Sequence, residues 1–184
     1  MTRKSKEDWL MAGWYLIAEE GAQALKIEVL TTRLNVTKGS FYHHFANFQG
    51  YKEQLLAYLE QIGTLDIIAH IEQAQTAATK LHHLLQATLA GPLNLEAAVR
   101  AWALQDEQVQ LLMTRIDKRR IDYLQQLYQA LGFPAAQALT MGRMIYAIYV
   151  GGQQMMPPLT AEQLNQLYNA FHQAYGLELT GEST

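Results

Sequence analysis

The sequence predicts an all-α protein, with a three-helix head containing a helix-turn-helix joined to a larger helical body, about nine helices in total. Three observations predict it. Ile27, Leu30, Thr31 and Leu34 fall at i, i+3, i+4 and i+7, one face of a helix, and the run Asn35 to Phe45 reads as a turn feeding a second, shorter helix. Apolar residues elsewhere keep the helical period, and no strand-like alternation persists. Charge is also unevenly placed: residues 1–52 carry seven Lys/Arg and five acids, whereas the rest carries seven and twelve, within a chain of net charge −3. A basic end on an acidic body suits nucleic acid at that end.

The elements follow in order. Ser5-Lys6-Glu7-Asp8 has the form of a capping box and opens a first helix. Leu10, Trp14, Ile17 and Ala18 form its apolar stripe, and Gly21 can end it. Asn35, which tolerates a left-handed backbone, ends the second helix. Thr37 is a suitable N-cap for the third, its hydroxyl placed to accept from the amide of Gly39 or Ser40. Phe41 and Phe45 share one face of that helix and are expected to pack on Ile27, Leu30 and Leu34. Gly39 and His43 face outward, Ser40 and His44 flank one side, and Tyr42 the other. An outward glycine costs helix stability unless another surface must approach the backbone. DNA is such a surface, and Lys38 adds positive charge at the same end. His43 and His44 can equally be a surface pair with no role. Neighbouring helix positions point about 100° apart, a poor arrangement for two metal ligands.

Asn47 can cap a fourth helix carrying Tyr51, Leu55, Leu59, Ile62 and Ile68. It links a head of residues 1–50 to a body of residues 51–184. Further helices are expected over 77–89, 95–104, 106–131, 135–155 and 161–175, punctuated by Gly91-Pro92, Gly132-Phe133-Pro134 and Pro157-Pro158. Thr160 with Gln163 forms another capping box. The last two helices carry more apolar surface than one stripe needs, with Met141, Ile145, Ile148, Leu164, Tyr168 and Phe171 as the candidate dimer face. The alternative is that both faces are internal core. Among the apolar body helices, His82, Gln86, Trp102, Gln105, Met113 and Tyr146 are candidates to line a small-molecule pocket, with His83 and Arg115 beside them. Each is also compatible with an ordinary core or surface role. The Asp117 to Asp122 cluster reads most simply as a solvated face with local ion pairs.

Several classes are excluded. No 18-residue apolar run and no signal-peptide pattern occurs, so no membrane span or export is expected and the location is cytoplasmic. Cysteine is absent, which removes disulfides, thiol nucleophiles and Cys-ligated zinc. No phosphate-binding glycine loop, His-Glu-x-x-His, Gly-x-Ser-x-Gly or Glu-x-x-His pair is present. No enzyme activity, cofactor or metal is expected.

Val36-Thr37-Lys38-Gly39-Ser40-Phe41-Tyr42-His43-His44-Phe45 resembles the recognition-helix signature of TetR/AcrR-type transcriptional regulators. Those proteins carry Val-Ser/Thr-x-Gly-Ser/Thr-aromatic/aliphatic-Tyr-x-His-Phe at this place. The resemblance covers residues 6 to 60; the remainder fits by length, helical content and order. It implies DNA contacts by Thr37, Lys38, Ser40, Tyr42 and His43, with Tyr42 mainly on phosphate. Gly39 would permit close approach, and His44 would be partly structural. Lys26 stands where such proteins often have threonine and joins the expected DNA-facing set. Leu34 and Asn35 replace the usual Ala and Gly. Phe48 stands where a phosphate-binding lysine is usual, and Lys52, one turn on, is expected to substitute. The resemblance also implies a homodimer through a four-helix bundle, double-stranded operator DNA as partner and a small-molecule effector that releases a repressor. The alternative reading is a helical adaptor that binds another protein through its Met- and Tyr-rich C-terminal surface.

Overall fold

The computed structural model describes residues 4–90 and 93–177. The expected Gly91-Pro92 break and the N-terminal Arg3 lie outside the described residues. The described elements are helical: α1 (Lys6–Glu20), α2 (Ile27–Leu34), α3 (Lys38–His44), α4 (Phe48–Glu60), α5 (Asp66–Ile71), α6 (Ala77–Ala90), α7 (Leu93–Ala103), α8 (Glu107–Ala130), α9 (Ala135–Gln154) and α10 (Ala161–Ala174). A π-helical stretch, Gln61–Leu65, joins α4 to α5, so the helical run is continuous over residues 48–71. A 3-10 turn at Ala22–Ala24, absent from the sequence reading, follows α1.

The caps act as their residue types require. Ser5 Oγ accepts from the Asp8 amide and the Asp8 carboxylate accepts from the Ser5 amide. Thr160 and Gln163 repeat this reciprocal pair at the start of α10. Asn47 Oδ1 accepts from the Gly50 amide at 2.8 Å. Asn35 is left-handed (φ 53°). The amides of Val36 and Asn35 return to the carbonyls of Thr31 and Thr32, the paired closure that satisfies the end of a helix.

The chain forms two compact units. The first is Met1–Gly63 with Asn94–Met113, so α7 and the start of α8 cluster with the head helices. Its centre is aromatic. Trp9, Phe41, Phe45 and Tyr51 are buried, with edge or tilted ring contacts at centroid distances of 4.9–6.5 Å. The buried face of α1 is Trp9, Leu10, Ala12, Gly13, Leu16 and Ile17. It therefore centres on Trp9 and Leu16 rather than on the expected Trp14, which is half-buried. Gly13 sits in the α1–α4 contact, where an added Cβ would lie 2.0 Å from the Tyr51 hydroxyl. That hydroxyl donates to the Trp9 carbonyl at 3.0 Å.

The second unit is Thr64–Leu93 with Thr114–Thr184. Its core combines Leu81 and Leu85 of α6, Leu124 and Tyr128 of α8, Met141 and Ile145 of α9, and Tyr168 and Phe171 of α10. At Gly142 a Cβ would lie 3.3 Å from the Gln125 backbone nitrogen, so small size there lets α8 and α9 pack closely. Glu72 accepts from both Lys80 and Tyr123, each at 2.6 Å, tying α6 and α8 to the residue that follows α5.

Candidate nucleic-acid interface

Helix α3 has one anchored side and one open side. Phe41 and Phe45 enter the aromatic centre of the first unit, which fixes the rotation of the helix. Leu30 of α2 is fully buried in the same unit, whereas Ile27 and Leu34 are only half-buried. Much of the expected aliphatic floor is thus supplied by Trp9 and Tyr51. Lys38, Gly39, Tyr42 and His43 are exposed as the helical projection requires, and Ser40 is half-buried at the edge.

Gly39 is informative because nothing in the chain requires it. The atom nearest to a Cβ added there is Thr37 Oγ1, at 3.6 Å. Its backbone is helical, so no left-handed conformation calls for glycine. The small residue keeps the outer surface of α3 low, whereas Gly13 and Gly142 make room for neighbouring parts of the chain.

The charged and polar groups of the head have specific partners. Lys38 Nζ lies 2.5 Å from Glu28 Oε1, and both side chains remain more than half exposed. The hydrogen bond from Lys38 lowers the pKa of Glu28, and the same bond raises that of Lys38. Thr37 has N-cap backbone geometry, but its hydroxyl makes no cap bond; instead its carbonyl accepts from the Ser40 amide at 3.0 Å. The expected side-chain cap is thereby corrected, since this turn closes through the backbone. The His44 ring N–H donates to the Lys4 carbonyl at 2.9 Å, holding the segment before α1 against α3. His43 packs edge-on against His44, and Tyr42 edge-on against Phe41. Lys26 is exposed at the N-cap of α2.

Lys52 is placed differently from the expectation of a phosphate contact. Its side chain is only 12% exposed, and its ammonium pairs with Asp106. It also lies 5.6 Å from the centroid of the Trp102 ring. Asp106 in turn accepts from the amides of Gln108 and Val109, capping α8. Phe48 opens α4 and its ring meets Tyr51.

The expected pocket residues divide between the two units. Trp102, Gln105 and Met113 belong to the first unit, and His82, Gln86 and Tyr146 to the second. The Trp102 ring faces Lys52, Met113 is core, and Gln86 and Gln105 are exposed. The Tyr146 hydroxyl donates to Asp117 at 2.8 Å and accepts from Arg120 at 3.3 Å, while Arg120 also donates to Thr64. Asp117 and Arg120 thus turn inward, and within the supposed solvated cluster Lys118 and Asp122 form the expected local pair. The candidate dimer residues are redistributed in the same way. Met141, Ile145, Leu164, Tyr168 and Phe171 are buried within one chain, and Ile148 packs against that core. The large apolar side chains left exposed on α9 and α10 are Met144 and Leu167.

Among the described residues no group of three or more His, Asp or Glu is arranged to hold a metal, and no helix is long and apolar enough to cross a membrane.

Residues 10–59 match the family model of bacterial regulatory proteins, tetR family. A search among curated proteins finds no match. Solved structures with the same fold include a transcriptional regulator from Rhodococcus sp. Rha1, with TM-score 0.75 and 17% identity over 93% of this chain and 95% of that one. A putative regulator from Saccharomonospora viridis in complex with choline gives 0.77 and 16%, over 91% and 95%. A TetR-family regulator from Streptomyces coelicolor gives 0.74 and 15%, over 92% and 88%. Residues 10–59, which hold the helix-turn-helix, are thus similar to the tetR family of bacterial regulatory proteins, and along almost its whole length the chain has the fold of solved transcriptional regulators.

Proposed function

We propose that this protein is a cytoplasmic, homodimeric, DNA-binding transcriptional regulator without enzymatic activity, a repressor released from its operator by a small-molecule effector. The observation that carries the DNA reading is Gly39, an exposed helical glycine where an added Cβ would meet only the Thr37 hydroxyl, at 3.6 Å. Thr37, Lys38, Ser40, Tyr42 and His43 surround it on a helix fixed from behind by two phenylalanines. In a helix-turn-helix this surface enters the major groove. His43 and Ser40 would read base edges, Thr37, Lys38 and Tyr42 would hold backbone phosphates, and Lys26 would extend the basic edge. His44 positions the helix through Lys4, and Lys52 acts through its pair with Asp106.

Two reading heads suit two half-sites, which is the reason for a symmetric dimer. The exposed Met144 and Leu167 support an interface on α9 and α10. Residues 1–50 would serve as the reading head and 51–184 as the ligand and dimerisation region. An effector would act by favouring the conformations in which the two heads do not match the operator. The continuous helical run over residues 48–71 is the covalent route for that change.

The test begins with DNA selected from a random pool by the purified protein. Gly39→Ala should keep or raise thermal stability, since alanine is the better helix former by up to about 1 kcal/mol. It should nevertheless weaken binding to the selected DNA about tenfold or more, roughly 1.4 kcal/mol. Undiminished affinity of the folded variant would overturn the placement of α3 against DNA.

A further inference from the structure

We propose that the second unit carries a binding site for an amphipathic organic anion, a short apolar chain ending in a carboxylate or a phosphate monoester. The site is an open groove of about 450 Å³ between the start of α5 and one face of α8. That volume falls in the range of small-molecule sites. Leu65 and Ile68 supply apolar wall from the α5 side, and Arg115, Lys118, Arg119 and Tyr123 line it from α8. Their spacing places the α8 residues on one helix face, because i, i+3, i+4 and i+8 are neighbours.

The charge of this lining is unlike its surroundings. Three cations and one carboxylate, Asp122, face the groove, and Asp122 is held by Lys118 at 2.6 Å. The groove is thus net positive in a region, residues 53–184, where acids outnumber Lys and Arg twelve to seven. Arg115 and Arg119 already make contacts within the chain. Both side chains are nevertheless exposed, and a guanidinium offers five N–H donors in a planar fork suited to an oxyanion. Tyr123 is oriented by its bond to Glu72, which directs its hydroxyl to that carboxylate and leaves its ring as wall. Arginines one turn apart beside Leu65 and Ile68 fit a ligand with a charged head and an apolar tail. A cationic ligand would meet like charge in this lining, and a neutral one would gain nothing from its net positive charge. None of the residues named from the sequence as pocket lining, except Arg115, belongs to this groove. Naming the occupant as the effector rests on the regulator reading above, but the binding site itself does not.

The experiment measures binding without DNA, so its failure is separate from failure of that reading. Full-length protein is titrated calorimetrically with octanoate, octyl phosphate, octanol and octylamine. Saturable binding is expected for at least one anion, with octanol and octylamine at least tenfold weaker. The tighter of the two anions identifies the head group. In the Arg115→Gln/Arg119→Gln double variant that affinity should fall at least tenfold while the thermal unfolding midpoint stays near wild type, since both side chains are exposed. Lys118→Gln, which removes one lining cation together with its pair to Asp122, supplies a second variant and should weaken the anion less than the double variant does. No saturable binding of either anion, octanol binding as tightly as the anions, or an unchanged affinity in the double variant would each overturn the proposal.

Discussion

Lys38 shows how a single side chain can serve two partners. Its ammonium pairs with Glu28 across the helix-turn-helix, but both groups are exposed, and solvent screening leaves such a pair weak. A phosphate is a strong competitor, because binding it also releases condensed counterions. Glu28→Gln removes both the competing partner and a like charge facing DNA, so affinity for all DNA sequences should rise. Lys38→Gln should weaken all sequences alike and make the slope of log K against log salt shallower by about 1. A salt titration of the two variants checks this; an unchanged slope in the lysine variant would show that Lys38 does not reach the backbone. Thr37 belongs beside Lys38 because its hydroxyl is not used as a cap.

At the scale of the element, two contacts decide how helices meet. Gly13 lets α1 cross α4 with the Tyr51 hydroxyl where a Cβ would stand. Burial raises the Tyr51 pKa, so the phenol stays neutral and keeps donating to the Trp9 carbonyl. Gly13→Ala should destabilise the protein by about 1–3 kcal/mol through overpacking, read as a lower denaturation midpoint. In the second unit, α8 and α10 meet at a buried His172. Its Nδ1–H donates to the Tyr168 carbonyl at 2.7 Å and its Nε2 accepts from the Tyr128 hydroxyl at 2.8 Å. Desolvation lowers its pKa from 6.5, opposed by the backbone bond to Tyr168. The unfolded chain therefore binds the proton more readily than the folded one. Stability from this group is full above pH 6.5 and is lost as pH falls from there toward the depressed folded value. Carboxylates such as Glu72, whose pKa is lowered by Lys80 and then Tyr123, act only in a lower window, below 4.5. Chemical denaturation between pH 7.5 and 5.5 should show falling stability in wild type and a flatter profile in His172→Gln. Equal slopes would show that His172 does not carry the effect.

For the whole molecule, the question is which apolar surface remains after each unit has formed its core. Phe171, Tyr168 and Leu164 are already used, so a charge at Phe171 should unfold the second unit rather than split a dimer. Met144 and Leu167 are 44% and 43% exposed, so Met144→Glu with Leu167→Glu should leave the chain folded. Sedimentation at micromolar concentration should give twice the 20.8 kDa chain mass for wild type and a folded monomer for the double variant, with weaker binding to selected DNA. A wild-type monomer would remove the dimer from the proposed function and favour a helical adaptor.

Local chemistry made much of this protein legible from its sequence. The capping pairs Ser5–Asp8 and Thr160–Gln163, the left-handed Asn35 and the outward Gly39 depend on near neighbours and helical period, so they could be read before any fold was known. The helix boundaries from 77 onward follow for the same reason. Contacts between distant segments could not be read in that way. Lys52 looked like a phosphate ligand until Asp106, 54 residues away, was placed beside it. Tyr146 looked like a pocket residue until Asp117 and Arg120 turned toward its hydroxyl. Trp9 and Gly13 carried no periodic signal of their own, because their roles come from Phe41, Phe45 and Tyr51. By itself the sequence determined most helix boundaries, the side-chain caps of α1, α4 and α10 and the outward face of α3, since these follow from backbone propensity and spacing. Only the tertiary structure decided which polar groups are consumed internally and which face the groove on α8, because burial and pairing are properties of residues brought together from distant parts of the chain.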